Sequence, residues 1–140
     1  MKTIKVLVLI VFVLLLACRD KDDECNKEDI IGKWEVTEMI SVESVSYAKD
    51  NGYNPVIDFK TDQAVEIKLD VNSCFGSFQL QGNNAIEISD AGCTEICCDS
   101  DFSVKFVQML PQVSSWSFDK NVLQLHVSGW GWFELKQFSD

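Results

Sequence analysis

Six cysteines offer the most chemistry in this 140-residue chain: Cys18, Cys25, Cys74, Cys93, Cys97 and Cys98. A cysteine sulfur can be acylated, can pair with a second sulfur, or can hold a soft metal as thiolate. Cys74, Cys93, Cys97 and Cys98 would supply four zinc ligands, but Cys-x3-Cys-Cys is not a usual knuckle spacing. The single histidine, His126, sits between Leu125 and Val127 in an alternating run and is expected to face solvent. No nucleophile elbow, phosphate-binding glycine loop or histidine-rich motif accompanies it. We therefore expect no catalytic residue, no cofactor and no metal. Two tryptophans flank Gly131 in Ser128-Gly129-Trp130-Gly131-Trp132-Phe133. If Phe133 and Leu135 face the core, Trp130 and Trp132 share the opposite face with Glu134 and form a contact surface. The other reading packs them under a helix or at a barrel end, as suits a residue type that is mostly buried.

Cys18 stands apart because of what precedes it. Lys2 and Lys5 lead an unbroken apolar run over 6–16, followed by the small Ala17. This is the pattern of a secretory leader, too short for a bilayer span of about 20 residues. Leu15-Leu16-Ala17-Cys18 looks like a lipobox, so cleavage before Cys18 and a diacylglyceryl thioether on it are expected. Several acyl chains, at about 0.8 kcal/mol per buried CH2, give stable anchoring. We thus expect a signal peptide over 1–17, an acidic lipid-anchored tether over 18–28, and one domain over 29–140. Lys21-Asp22-Asp23 is similar to the signal that carries some lipoproteins to the outer face of the outer membrane; the periplasmic face is the alternative.

The chain carries 12 basic and 22 acidic residues, and loss of Lys2 and Lys5 moves its formal charge from −10 to −12. That sign repels nucleic acid and anionic headgroups, so nucleic acid is not an expected partner. An exported compartment permits disulfides, which weighs against both zinc and free thiols. Five cysteines beyond Cys18 can pair in many ways, so spacing leaves the connectivity open.

The elements that must position these residues are mostly strands. Gly32-Lys33-Trp34-Glu35-Val36 reads as a first strand, and Pro55-Val56-Ile57-Asp58-Phe59 as a second. Val65, Ile67, Leu69 and Val71 alternate with Glu66, Lys68 and Asp70, predicting a half-buried strand over 64–71. A strand over 75–80 and the turn Gly82-Asn83-Asn84 lead to Ile86 and Ile88. Phe102, Phe106, Met109 and Leu110 then fall on a helical stripe. Asp99, Ser100 and Asp101 suit its N-terminus and Pro111 stops it, so one helix is predicted over about 100–110. Strands resume at Trp116 and Phe118, at Leu123, Leu125 and Val127, and over 132–137. The predicted fold is mainly β: an antiparallel curled sheet or small barrel of about eight short strands.

These features together resemble the META/HslJ-like domain family of bacterial envelope proteins. The likeness rests on Gly32-x-Trp34, on Cys74 with Phe75-Gly76-Ser77-Phe78, on Thr94 with Cys98 four residues on, and on the helix with Phe106 and Leu110 before a hairpin and last strand. The family's Gly-Cys-Asn stands here as Ser73-Cys74-Phe75, and Cys93 and Cys97 are additional. The resemblance implies a compact β fold without enzymatic activity, and a bridge between Cys74 and Cys98. Cys97 can replace Cys98 in it, since neighbours on a turn point differently; a pairing of Cys93 with Cys25 or with Cys97 is a separate option. Gly32-Lys33-Trp34 also matches the opening of lipocalins, which would imply a carrier of a small apolar ligand. Yet 123 mature residues leave little length for that barrel, and the helix precedes the last three strands. The expected function is non-catalytic: binding, or support of the envelope through protein contacts, with the membrane engaged through lipid on Cys18.

Overall fold

The computed structural model describes residues 27–43, 47 and 52–139. The leader, Cys18, Lys21-Asp22-Asp23 and Cys25 lie outside the described residues. A 3-10 turn, Lys27–Ile30, leads into β1 (Gly32–Ser41), β2 (Val56–Phe59), β3 (Ala64–Lys68), β4 (Ser73–Leu80), β5 (Ile86–Ile88) and β6 (Gly92–Cys93). The helix α1 (Asp101–Met109) and a 3-10 turn, Leu110–Gln112, precede β7 (Val113–Asp119), β8 (Val122–Val127) and β9 (Gly131–Gln137). Every pairing is antiparallel. The strand order is β5-β4-β3-β2-β1-β9-β8-β7, with β6 added on β4. The two ends of that path meet at an Ala85–Ser115 bridge and a bond of 3.0 Å from Trp116 N to Asn84 O, so the barrel is nearly closed. The expected mainly β fold with one short helix is the observed one.

Local chemistry explains the elements. Gly32 has φ +125°, a conformation open to glycine, and turns the chain from the 3-10 turn into β1. Two residues on, buried Trp34 donates its indole Nε1 to Ile30 O at 2.8 Å. The Gly-x-Trp motif is therefore a bend followed by an anchor. Asn83 and Asn84 both adopt positive φ in the tight turn ahead of β5, as asparagine tolerates. Ser100 caps α1 by accepting from Ser103 N, and Pro111 falls in the 3-10 turn that ends it. The stripe Phe102, Phe106 and Met109 is buried, with Phe106 edge-on to Phe133 of β9 at 5.1 Å. Phe59, Trp116 and Phe133 fill the interior beside it.

Three expectations need correction. The strand predicted to reach Val71 ends at Lys68, because Leu69 N bonds to Asn72 O in a turn; Val71 is 46% exposed instead of inward. The first strand runs on to Ser41 through a bulge between Val36 and Glu38. That bulge lets both Val36 and Met39 face the core despite their spacing of three. A two-residue strand, β6, adds to β4 where the sequence predicts none.

Candidate functional site

The cysteines come first. Cys74 of β4 is fully buried and lies directly opposite Cys93 of β6, and these two form a disulfide. The implied Cys74–Cys98 bridge is thus replaced: cross-strand register brings Cys93, not Cys98, to Cys74. Cys97 and its neighbour Cys98 have their sulfurs in contact on an exposed stretch of chain. Among the described residues, no group of three or more His, Cys, Asp or Glu side chains is placed to hold a metal ion.

Asn72, for which no role was expected, organises this region. Its side chain is buried and donates from Nδ2 to Ile96 O and to Asp99 Oδ2. Its Oδ1 accepts from Thr94 Oγ1 at 2.7 Å and from Ile96 N at 2.8 Å. Asp99 Oδ1 in turn accepts from Val71 N at 2.8 Å and Asn72 N at 3.1 Å. Asp70 Oδ2 accepts from the Ser100 hydroxyl at 2.9 Å, tying the same turn to the cap of α1. Burial works to raise the Asp99 pKa, but bonds from the Asn72 side chain and from the Val71 and Asn72 amides outweigh it and hold the carboxyl below its ordinary range. The Tyr53 phenol moves the other way, raised by burial and by Asp70, Asp99 and Glu35. The arrangement is a clasp: it fixes the 94–99 segment and presents Val71, Phe75 and Ile96 outward, each about half exposed or more. Sequence carried one hint of it, since an Asp-x-Asn run suits a turn.

The two tryptophans do not share a face. Trp130 lies in the β8–β9 turn and packs on Tyr47 and Phe133, each at 5.7 Å between ring centroids. Lys105 Nζ sits 4.9 Å from the Tyr47 ring centroid and 5.8 Å from that of Trp130. Trp130 thus follows the packing reading. Trp132 is half-buried on the outer face of β9, with Nε1 donating to Glu134 Oε1 at 3.2 Å.

His126 shares that outer face, opposite Trp132. Its Nε2 is 2.8 Å from Ser117 Oγ. Burial pushes the imidazole pKa down. A serine against an imidazole is two parts of a nucleophile–base–orienter set. Glu134, the carboxylate diagonal to His126 on β9, instead accepts from Trp132 and, at 3.4 Å, from Gln124 Nε2. The contacts join three strands into a polar platform around one indole. Two grooves, of about 450 Å³ beside Lys60 and Phe78 and about 390 Å³ beside Lys33 and Phe138, mix charged with apolar lining.

The META domain family matches residues 28–134. A crystal structure of a DUF4847 family protein from Bacteroides vulgatus is similar at TM-score 0.60 and 17% identity, over 82% of this chain and 99% of that one. An NMR structure of a protein from Burkholderia xenovorans is similar at TM-score 0.67 and 12% identity, over 87% of this chain and 99% of that one. Identities this low establish a shared fold alone. No curated protein matches this chain in sequence. The family match spans most of the 140 residues and agrees with the Gly32-x-Trp34 bend, the Cys74 strand and the helix before the last hairpins: the chain belongs to the META domain family.

Proposed function

We propose that this protein is a lipid-anchored envelope protein whose META domain is a non-catalytic contact module working through other proteins. The observation that carries the reading is the filled interior. Trp116, Phe59, Phe106 and Phe133 are buried where a carrier would keep space for cargo. The runner-up, carriage of a small apolar ligand, has no support from that packing. The role is then left to the outer surface, where Trp132 and the residues held by Asn72 are displayed. The leader, the Cys18 motif and the acidic tether support anchoring in the outer membrane. Lys21-Asp22-Asp23 supports the cell-surface face over the periplasmic one. Glu134 engaged away from His126 supports a role without catalysis.

In-cell crosslinking of the full chain in its own host tests this. Discrete adducts with one or a few envelope proteins are expected. An uncrosslinked chain that releases an apolar small molecule on denaturation would move the reading to the carrier.

A further inference from the structure

Five large hydrophobic side chains are exposed among the described residues, and three of them lie around the Asn72 clasp: Val71 at 46%, Phe75 at 55% and Ile96 at 59%. Val71 and Ile96 flank the Asn72 side chain and Phe75 stands three residues along β4; exposed apolar side chains grouped in this way mark contact sites in soluble domains. Each has a structural cause. Val71 is turned out because β3 stops at Lys68. Phe75 points outward from β4 between Glu66 and Gly92, and the glycine has no side chain to cover it. Ile96 is held at both its N–H and its C=O by the Asn72 side chain. The Cys74–Cys93 bridge fastens the same segment to β4. The tip is therefore ordered before anything binds, which removes the usual cost of ordering a loop on association.

Charge selects the occupant. Asp70 precedes Val71, Glu95 precedes Ile96, and Asp90 and Asp99 lie on the same segment as Ile96, four acids against Lys68, exposed at the end of β3. The whole chain carries −10. An anionic lipid surface is repelled by such a rim, and a second copy of the chain would set acid against acid. A protein segment with apolar anchors and a Lys/Arg border meets both the apolar centre and the rim.

We propose that Val71, Phe75 and Ile96 form a docking tip for a protein segment of apolar anchors bordered by basic residues. This rests on the contact-module reading and names the partner chemistry for it. The test selects a random displayed peptide library on the full mature chain in nonionic detergent. Selected peptides should carry large apolar residues flanked by Lys or Arg. Their affinity should fall at least about tenfold for Val71→Ser with Ile96→Ser, as for truncated anchors at a contact centre. It should also fall for Glu95→Lys and on raising salt, with Val42→Ser, an exposed apolar position away from the tip, unchanged. Far-UV circular dichroism of each variant checks the fold, and Glu95→Lys keeps the test open if the double variant unfolds. Peptides without basic residues, or unaffected by the tip variants, overturn the proposal, as does an empty selection. Binding lost in Trp132→Ala instead overturns the tip while leaving the contact-module reading in place. Tip-dependent binding to phosphatidylglycerol vesicles, or tip-dependent self-association, also overturns it.

Discussion

Replacing Asn72 by alanine should destabilise the domain by about 2–4 kcal/mol. The side chain makes four hydrogen bonds, two to Ile96, one to Thr94 and one to the Asp99 carboxylate. A net value of roughly 0.5–1.5 kcal/mol each, with the charged partner at the upper end, sets that range, and water regaining some partners keeps it from being higher. Urea unfolding followed by tryptophan fluorescence reads the change in midpoint at constant slope. A loss within about 0.5 kcal/mol, ordinary for a surface substitution, would refute the clasp. Asn72→Asp sharpens the test. It keeps the acceptors for Thr94 and Ile96 but sets a second carboxylate against Asp99. It should be worse than alanine at neutral pH and recover on acidification. The wild type should show the opposite trend. Asp99 is held below its ordinary range, so its contribution is complete above that range and is lost as pH falls through the depressed value. Asn72→Ala should flatten that dependence.

Other perturbations separate the parts of the structure. Replacing Cys74 and Cys93 together by alanine opens a loop with a sequence separation of 19 and should cost on the order of 3 kcal/mol in the same unfolding assay; peptide mapping under non-reducing conditions should recover Cys74 linked to Cys93. Gly131→Ala should cost about 3 kcal/mol or more, because φ is +151° and an added Cβ would overlap the Ile40 carbonyl oxygen; a normal thermal midpoint would contradict that close approach. Trp116→Phe should cost about 1–3 kcal/mol in the same assay, from the cavity left in the filled interior and not from a lost hydrogen bond, since Trp116 Nε1 has no protein partner; an unchanged midpoint would contradict the close packing. As the sole histidine, His126 can be titrated alone by proton NMR and should titrate below 6.5. Its neutral form is favoured in the fold, so stability should decline as pH falls from about 6.5 toward the lowered value, and His126→Gln should remove that decline.

Legibility in the sequence followed the length and purity of each pattern. Strict alternation at 64–68 marked β3, and the stripe of Phe102, Phe106 and Met109 marked α1 together with its Ser100 cap. Alternation misled where it ran past the end of pairing: Val71 keeps the period but lies beyond a turn. A bulge hid the second half of β1, because Val36 and Met39 both face inward three residues apart. Likewise, Trp130 and Trp132 share parity in the sequence, but Trp130 belongs to a turn in which Gly129 has φ +73°, so counting by twos from Phe133 stops short of it. The Cys74–Cys93 pairing depended on β6, a two-residue strand too short to leave any period in the sequence. The clasp was hidden for a related reason, since Asn72 acts on residues more than 20 positions away.

Top-down native mass spectrometry of the full protein extracted from its host membrane tests the central claim most directly. It reads the state of Cys18 and any retained cargo in one spectrum. A chain beginning at an acylated Cys18, carrying the mass loss of its disulfides and releasing nothing on denaturation, is the expected result. A chain that still begins at Met1 with an unmodified Cys18, or one that releases a bound apolar molecule, would contradict it.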